Sequence, residues 1–301
     1  MSPTAAPPTA GYLYALLAFG CWGLAPLYFR LLGSIPTPDM LAHRIVWTLL
    51  ALAIIVLVSG RLKQVLATAR QPKLIGRLVI SGLLIGTNWG VWLWAISSGH
   101  VLESSLGYFI NPLVNIVLGM LVLKERLTPR QGIAVAIAAA GVVGLVLGGG
   151  HFPWIALTLA ISFGLYGLVR KITPVDPMVG LFFETALVFT PCLAWLTWRG
   201  FTDAAGIGVI FPSAGLSALL IGTSIVTIVP LAAFVAATRR LPYATVGIFQ
   251  YISPSGQFLL GITLYGETFT QGHAIAFGCI WVSLALYTSE LVRKARVTAA
   301  A

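Results

Sequence analysis

Charged residues are scarce in this sequence, and acidic residues are the scarcest of them. Charged side chains make up 9% of the 301 residues, and Asp and Glu together number only 8. Apolar residues make up 58%, and the mean hydropathy is +0.95. A water-soluble domain of this composition would expose one large apolar patch. The composition therefore excludes a soluble protein and indicates an integral membrane protein.

Cysteine and histidine are also rare, with 3 and 4 residues respectively. Cys21, Cys192 and Cys279 all lie in apolar runs and form no CxxC pattern, so we expect buried thiols without a disulfide or a metal site. The sequence has no HExxH motif and no glycine-rich phosphate loop, and no segment recurs four or five times. These absences argue against an enzyme, against a bound cofactor and against the pore-lining ring of a channel.

Basic residues are the one abundant charge, with 18 Lys and Arg and a net charge of +10. They lie in short clusters between apolar runs, which is typical of membrane topology and not of a nucleic-acid-binding face. If the N-terminus is cytoplasmic, 15 of these 18 lie on the cytoplasmic side, and only Arg30, Arg44 and Arg199 lie at or near the outer face. The positive-inside rule thus predicts that both termini and the Gly60–Lys73 link are cytoplasmic.

Long apolar runs fill almost the whole chain. A helix needs roughly 20 predominantly apolar residues to cross a bilayer. Ten runs qualify, at about 11–31, 39–59, 74–97, 102–123, 130–148, 153–171, 175–198, 213–236, 244–265 and 271–292. We expect an all-α membrane fold with a disordered tail at 1–10, a basic cytoplasmic tail at 293–301, and no soluble domain.

One internal repeat divides the chain into two halves. The stretch Gly107–Thr128 recurs in altered form at Phe249–Thr270, and Pro112 and Pro254 stand at equivalent places, 142 positions apart. The repeat predicts halves at 11–150 and 151–292 with five spans each, and this odd number makes the halves inverted relative to one another. Because each proline removes a helical hydrogen bond, we expect helix breaks at Pro112 and Pro254, facing each other across a central cavity.

Several motifs, taken with this repeat, resemble a known family. They are HRIVW at His43–Trp47, GTNW at Gly86–Trp89, ESSLGYFINPLVNIVLG at Glu103–Gly119, GLYGLVRK at Gly164–Lys171, and FQYI at 249–252. The chain resembles the RarD-type permeases of the EamA family, within the drug/metabolite transporter superfamily. It departs from the pattern in the second copy, where SPSG stands at Ser253–Gly256. The resemblance implies an inner-membrane permease that works by alternating access, and it implies no particular substrate.

Ionisable groups inside predicted spans are candidates for transport, because a charge is costly there. Glu184 lies about 13 Å into the seventh span. It is expected to be a substrate counter-ion, a proton carrier or a protonated structural acid. His43 corresponds to Glu184 in the repeat and is a candidate coupling residue, or else a structural histidine. Arg44 could bind an anionic substrate group, pair with Glu184, or extend to the outer headgroups.

Uncharged polar and aromatic residues in mid-span complete the predicted substrate-binding set, which adds Asn88, Trp89, Tyr108, Asn111, Gln250 and Tyr251. Asn111 directly precedes the proline of the first copy, and Trp89 and Tyr108 could stack on a ligand. The alternative for the amide side chains is hydrogen bonding between helices. Glu267 ends its span among polar residues, and we expect it to be interfacial.

These features predict a multi-pass permease of a bacterial cytoplasmic membrane. Its expected partners are a small polar or zwitterionic metabolite, an amino-acid-like compound or a drug, together with membrane lipids and a coupling proton; a monomer is plausible. We expect export, by proton antiport if Glu184 titrates and by uncoupled exchange if Glu184 stays ionised. The nearest alternative is a lipid flippase of the same fold, which a lateral opening with apolar walls would favour.

Overall fold

The computed structural model describes residues 8–123, 129–147, 152–203, 206–238, 240–241 and 249–300. In chain order they form the helices α1 (Pro8–Arg30), α2 (Thr37–Val58), α3 (Leu62–Ala69), α4 (Pro72–Ser97), α5 (Val101–Leu123), α6 (Pro129–Leu147), α7 (Trp154–Lys171), α8 (Pro177–Thr202), α9 (Ala214–Thr238), α10 (Ile252–Thr263) and α11 (Gln271–Ala300), with a 3-10 turn at Gly206–Val209. No strand occurs in these residues, which confirms the all-α prediction.

Local sequence explains where several helices begin. A proline opens α4 and α8, at a position where its missing N–H costs no helical hydrogen bond. Asp176 caps α8, because its carboxylate accepts hydrogen bonds from the N–H groups of Met178 and Val179 at 2.9 and 3.3 Å. The short helix α3 lies within the predicted Gly60–Lys73 link, and the sequence reading missed it.

Six helices of the described residues, α1, α2, α4, α8, α9 and α11, are long and apolar enough to cross a membrane, and α6 and α7 contain shorter apolar stretches. Their outward surfaces carry large apolar side chains such as Leu13, Ile54 and Val282. Asn88, Asn111 and other polar residues lie buried between the helices. This polar interior and apolar exterior are typical of a bundle surrounded by lipid.

Helix packing relates the two halves to each other. α1 packs on α9 and α10, and in the same way α7 packs on α4 and α5; likewise α2 packs on α9, and α8 packs on α4. Thus α1 corresponds to α7, α2 to α8, α4 to α9 and α5 to α10. The predicted boundary between the halves at residues 150 and 151 lies outside the described residues. At the C-terminus α11 continues to Ala300, so most of the predicted tail at 293–301 is helical.

Close contacts repeat this correspondence. An added Cβ on Gly256 in α10 would lie 3.2 Å from the Cα of Gly23 in α1. At the equivalent place in the other half, an added Cβ on Gly164 in α7 would lie 2.8 Å from Cγ1 of Val114 in α5. Glycine lets the backbones of α1 and α10 approach closely at Gly256, and at Gly164 it leaves space for side chains of α5.

The two prolines stand differently in their helices. Helix α5 is continuous across residue 112, so the expected break at Pro112 is wrong. Pro254 lies in the first turn of α10, where a proline fits a helix, and residues 242–248 before it lie outside the described residues. The interior proline Pro26 leaves the carbonyl of Trp22 without its helical donor, and the amide nitrogen of Gln257 donates to that carbonyl at 3.3 Å.

Helices α5 and α10 face each other and are in direct contact at the level of Ser105, so no cavity separates them there. The Ser105 hydroxyl donates to the carbonyl of Pro254 at 2.7 Å. Beyond the end of α10, the carboxylate of Glu267 accepts hydrogen bonds from the N–H groups of Val101 and Leu102 at 2.5 and 2.9 Å. Glu267 therefore supplies acceptors for the free N–H groups at the start of α5.

Candidate functional site

Two buried charged groups stand out in the interior, Arg44 in α2 and Glu184 in α8. They do not contact each other in ion-pair geometry: the carboxylate of Glu184 pairs with Arg170 of α7. The predicted pairing of Arg44 with Glu184 is therefore wrong for this conformation. The two groups form separate sites, which are described in turn.

Aromatic rings surround the guanidinium of Arg44. Its central carbon lies 5.5 Å from the ring centroid of Phe29 in α1, and 5.0 and 5.7 Å from those of Trp89 and Trp92 in α4. Nε donates to the hydroxyl of Thr227 in α9 at 3.1 Å. We call Arg44, Phe29, Trp89, Trp92 and Thr227 the arginine box. Four helices thus position one cation.

The charge of Arg44 has no counter-ion among the described residues. The residue is only 8% exposed, and no described carboxylate lies within ion-pair distance of it. Its Nη1 is buried and makes no hydrogen bond. Contacts with the three rings compensate for part of the lost hydration, since a desolvated cation–π contact is worth about 2 kcal/mol. The arginine box therefore holds a buried cation that has one unused donor and no described counter-ion.

Glu184, in contrast, is completely enclosed and fully bonded. It is 0% exposed. It accepts hydrogen bonds from the hydroxyls of Ser81 at 2.6 Å and Tyr166 at 3.2 Å, and Nε of Arg170 lies 3.5 Å from it. We call Glu184, Arg170, Ser81 and Tyr166 the glutamate cluster. Its three donors stabilise the ionised carboxylate.

A glycine makes room for the arginine of this cluster. An added Cβ on Gly180 in α8 would lie 1.8 Å from Nη1 of Arg170, which no side chain could tolerate without movement. Gly180 sits one turn before Glu184 on the same helix, so the guanidinium lies across the helix surface beside its carboxylate partner. The position of the ion pair thus depends on a missing side chain.

The predicted amide residues hold helices together. The amide nitrogen of Asn88 donates to the carbonyl of Leu159 and to the hydroxyl of Ser162 at 3.1 and 3.0 Å, and the hydroxyl of Tyr108 donates to its oxygen at 3.1 Å. Asn88 therefore joins α4, α5 and α7, with both amide N–H groups donated and its oxygen accepting from Tyr108. Asn111 likewise donates to the carbonyl of Ala160 in α7 at 3.1 Å.

The remaining predicted residues lie in different places. His43 directly precedes Arg44 in α2, and its side chain is buried. Its coupling role stays a prediction. Tyr251, just before α10, stacks on Phe109 of α5 with ring centroids 6.4 Å apart. Gln250 is half-buried beside it, and its carbonyl accepts from the N–H of Ser253 at 3.3 Å. Of the predicted set, Arg44 and Trp89 share one site, and Glu184 belongs to the other.

Sequence reasoning missed several members of both sites. Arg170 was counted only as a cytoplasmic charge, although Tyr166 and Arg170 stand four residues apart and so share a helix face. That spacing could have indicated a partner for a buried acid. Phe29 and Thr227 carry no such signal, because only packing brings α1 and α9 to Arg44. No group of three or more His, Cys, Asp or Glu able to hold a metal occurs in the described residues.

The chain is similar to several known proteins. The profile of the EamA-like transporter family matches residues 9–147. Protein RarD of Escherichia coli (strain K12) is 40% identical over 96% of this chain and 97% of that protein. An uncharacterized transporter of Pseudomonas aeruginosa is 43% identical over 95% of each chain. The chloramphenicol-sensitive protein RarD of the same organism is 31% identical over 94% of this chain and 96% of that protein.

The fold also matches that of a solved protein. A crystal structure with 19% sequence identity superposes with a TM-score of 0.58, over 95% of this chain and 98% of that chain. At this identity the match supports the fold alone.

Proposed function

Because this chain belongs to the EamA-like transporter family, and within it to the RarD-type permeases of the drug/metabolite transporter superfamily, we propose that it moves a small solute with a carboxylate group across the bacterial membrane by alternating access. The solute is amino-acid-like or a related zwitterion, and Arg44 binds its carboxylate. The observation that carries this proposal is the buried guanidinium without a counter-ion.

The chemistry of the arginine box suits a carboxylate. A guanidinium presents parallel N–H donors that match the two oxygens of a carboxylate, and such pairs are strong in a site that excludes water. Nη1 of Arg44 is without a bond, whereas Nε is held by Thr227. The rings of Phe29, Trp89 and Trp92 would offer apolar contact to the side chain of a solute bound beside Arg44.

We place proton coupling at the glutamate cluster. In this conformation Arg170 and two hydroxyl donors compensate the charge of Glu184. When transport separates Arg170 from Glu184, a proton is the simplest replacement, because an unpaired buried carboxylate is costly. Proton entry on the outer side and solute release there would give export by antiport.

The test is a binding panel on the purified full-length protein. Amino acids are compared with their amides, which lack only the carboxylate, and chloramphenicol serves as an uncharged aromatic probe. We expect thermal stabilisation by one or more amino acids and not by the matching amides. Arg44→Gln should weaken that binding about 30-fold or more, since truncating a buried charged pair costs about 2 kcal/mol or more.

Matched variants separate the site from general effects of charge. Arg44→Lys keeps the charge, loses the parallel donors and should bind more weakly than wild type. Arg199→Gln removes an arginine that is already paired with Asp39 and Asp203, and it should leave binding unchanged. Equal stabilisation by acids and amides would refute the role of Arg44. Stabilisation by phospholipids with no effect of acids would favour the flippase alternative.

A further inference from the structure

A surface groove lies between the C-terminal end of α1 and the end of α10. It has a volume of about 650 Å³ and is lined by Leu24, Leu27, Tyr28, Arg30, Leu31 and Leu264. We infer that this groove binds a phospholipid with an anionic headgroup, with an acyl chain along the leucines and the phosphate at Arg30.

The lining of the groove is apolar and open to the membrane. Leu24 is 55% exposed and Leu31 62%, and both lie on the outward face of α1. In a bundle surrounded by lipid, an exposed leucine surface contacts hydrocarbon. The groove is shallow and open, so its leucines would lie along one side of a bound acyl chain.

Arg30 gives the groove a charged end. It is the last residue of α1, at the depth where a basic side chain reaches the headgroups. Its Nη1 donates to the carbonyl of Leu264 at 3.0 Å, and its guanidinium carbon lies 5.4 Å from the ring centroid of Tyr265. These two contacts hold the guanidinium at the groove, and no described carboxylate lies within ion-pair distance of it.

Arg199 provides the contrast at the same end of the bundle. Its guanidinium lies 3.3 Å from the carboxylate of Asp39 and 2.9 Å from that of Asp203. Arg199 is therefore neutralised by the protein, and Arg30 is not. An anion with an apolar tail complements both parts of the groove, since phosphate accepts from guanidinium and the tail covers the leucines. The inference does not rest on the transported solute.

Native mass spectrometry of the purified protein tests the inferred lipid site. The probes are phosphatidylglycerol and phosphatidylcholine with identical acyl chains. One basic residue near a membrane surface favours an anionic lipid by about fivefold. Wild type should thus retain phosphatidylglycerol about fivefold better than phosphatidylcholine. Arg30→Gln should remove this preference, and Arg30→Lys should keep most of it. Arg199→Gln should keep all of it.

A second variant tests the apolar part. Leu27→Trp fills the groove and should reduce retention of both lipids, while the transport substrate still binds. The inference is wrong if Arg30→Gln retains phosphatidylglycerol as wild type does, or if Arg199→Gln loses the preference equally. It is also wrong if Leu27→Trp leaves lipid retention unchanged, since the groove would then not hold the chain.

Discussion

The arginine box and the glutamate cluster occupy corresponding places in the two halves of the bundle. The box joins α2, α1 and α9, with ring contacts from α4, and the cluster joins α8, α7 and α4. Since α2 corresponds to α8, α1 to α7 and α9 to α4, related surroundings hold a lone cation in one half and a closed ion pair in the other. The repeat has kept its architecture while the two sites differ in chemistry.

The contrast between the two sites distinguishes a structural role from a binding role. In the ion pair the carboxylate of Glu184 is fully bonded, although Nη1 of Arg170 makes no hydrogen bond, and losing either partner leaves an uncompensated charge. A buried cation surrounded by rings and one hydroxyl keeps an unused donor. Loss of the charge should therefore destabilise the fold much more at the glutamate cluster than at the arginine box.

The largest effect should follow from breaking the ion pair. Glu184→Leu leaves the largely buried guanidinium of Arg170 without its carboxylate partner and should lower the free energy of unfolding by about 3 kcal/mol. The double variant Glu184→Leu/Arg170→Leu should recover much of this loss. Arg44→Leu should change stability by only about 1 kcal/mol, because it strands no described counter-ion. Equilibrium unfolding in lipid or mild detergent measures all three.

An Arg44→Leu variant as unstable as Glu184→Leu would contradict the contrast, since Arg44 would then be structural. Additive losses in the Glu184 and Arg170 double-mutant cycle would show that the two side chains do not stabilise the fold as a pair.

A smaller effect is expected from crowding the glutamate cluster without touching its charges. Gly180→Ala places a Cβ where Nη1 of Arg170 now lies. The guanidinium must move away from Glu184, at a cost of about 1–3 kcal/mol. Gly167→Ala on α7 is the matched control, because no atom lies within 4 Å of its added Cβ. Thermal unfolding should show a lower Tm for the first variant and an unchanged or higher Tm for the second; equal Tm values would refute the tight fit at Gly180.

The smallest effect concerns Glu267, a carboxylate outside the spanning helices. Burial raises the pKa of Glu267 above its ordinary value of 4.5, and the N–H groups of Leu102 and Val101 oppose this rise. Because the pKa is higher in the folded protein, the stability that this group contributes is full below 4.5 and is lost as pH rises through the raised value. Glu267→Gln cannot titrate. The Tm of wild type relative to this variant should therefore fall as pH rises from acid to neutral, and a Tm difference independent of pH would contradict the assignment.

The sequence was sufficient for the class of protein and for much of the fold. Composition indicated the membrane, apolar runs located the long helices, and the spacing of Pro112 and Pro254 revealed the repeat. It also singled out Arg44 and Glu184, because buried charges are rare in such chains. Homologues at about 40% identity then confirmed the family.

Sequence reasoning could not supply the partners of these charges. Arg44 was one candidate partner of Glu184, since both were placed in spans, yet Arg170 at the end of α7 is the residue that reaches the carboxylate of Glu184. Contacts between helices depend on how each helix is rotated, which no local pattern specifies. The continuity of α5 across Pro112 has a similar origin, because neighbouring helices can support a proline-containing helix in a membrane.

The bonds between Glu267 and the start of α5 have a kinetic consequence. Alternating access requires helices to part at one end of the bundle and then at the other. At this end, parting α10 from α5 would remove the acceptor from Val101 and Leu102 together, and Ser105 would lose the carbonyl of Pro254. If the protein works by the proposed alternating access, water would have to replace these acceptors during the movement, and their loss would add to the barrier to opening.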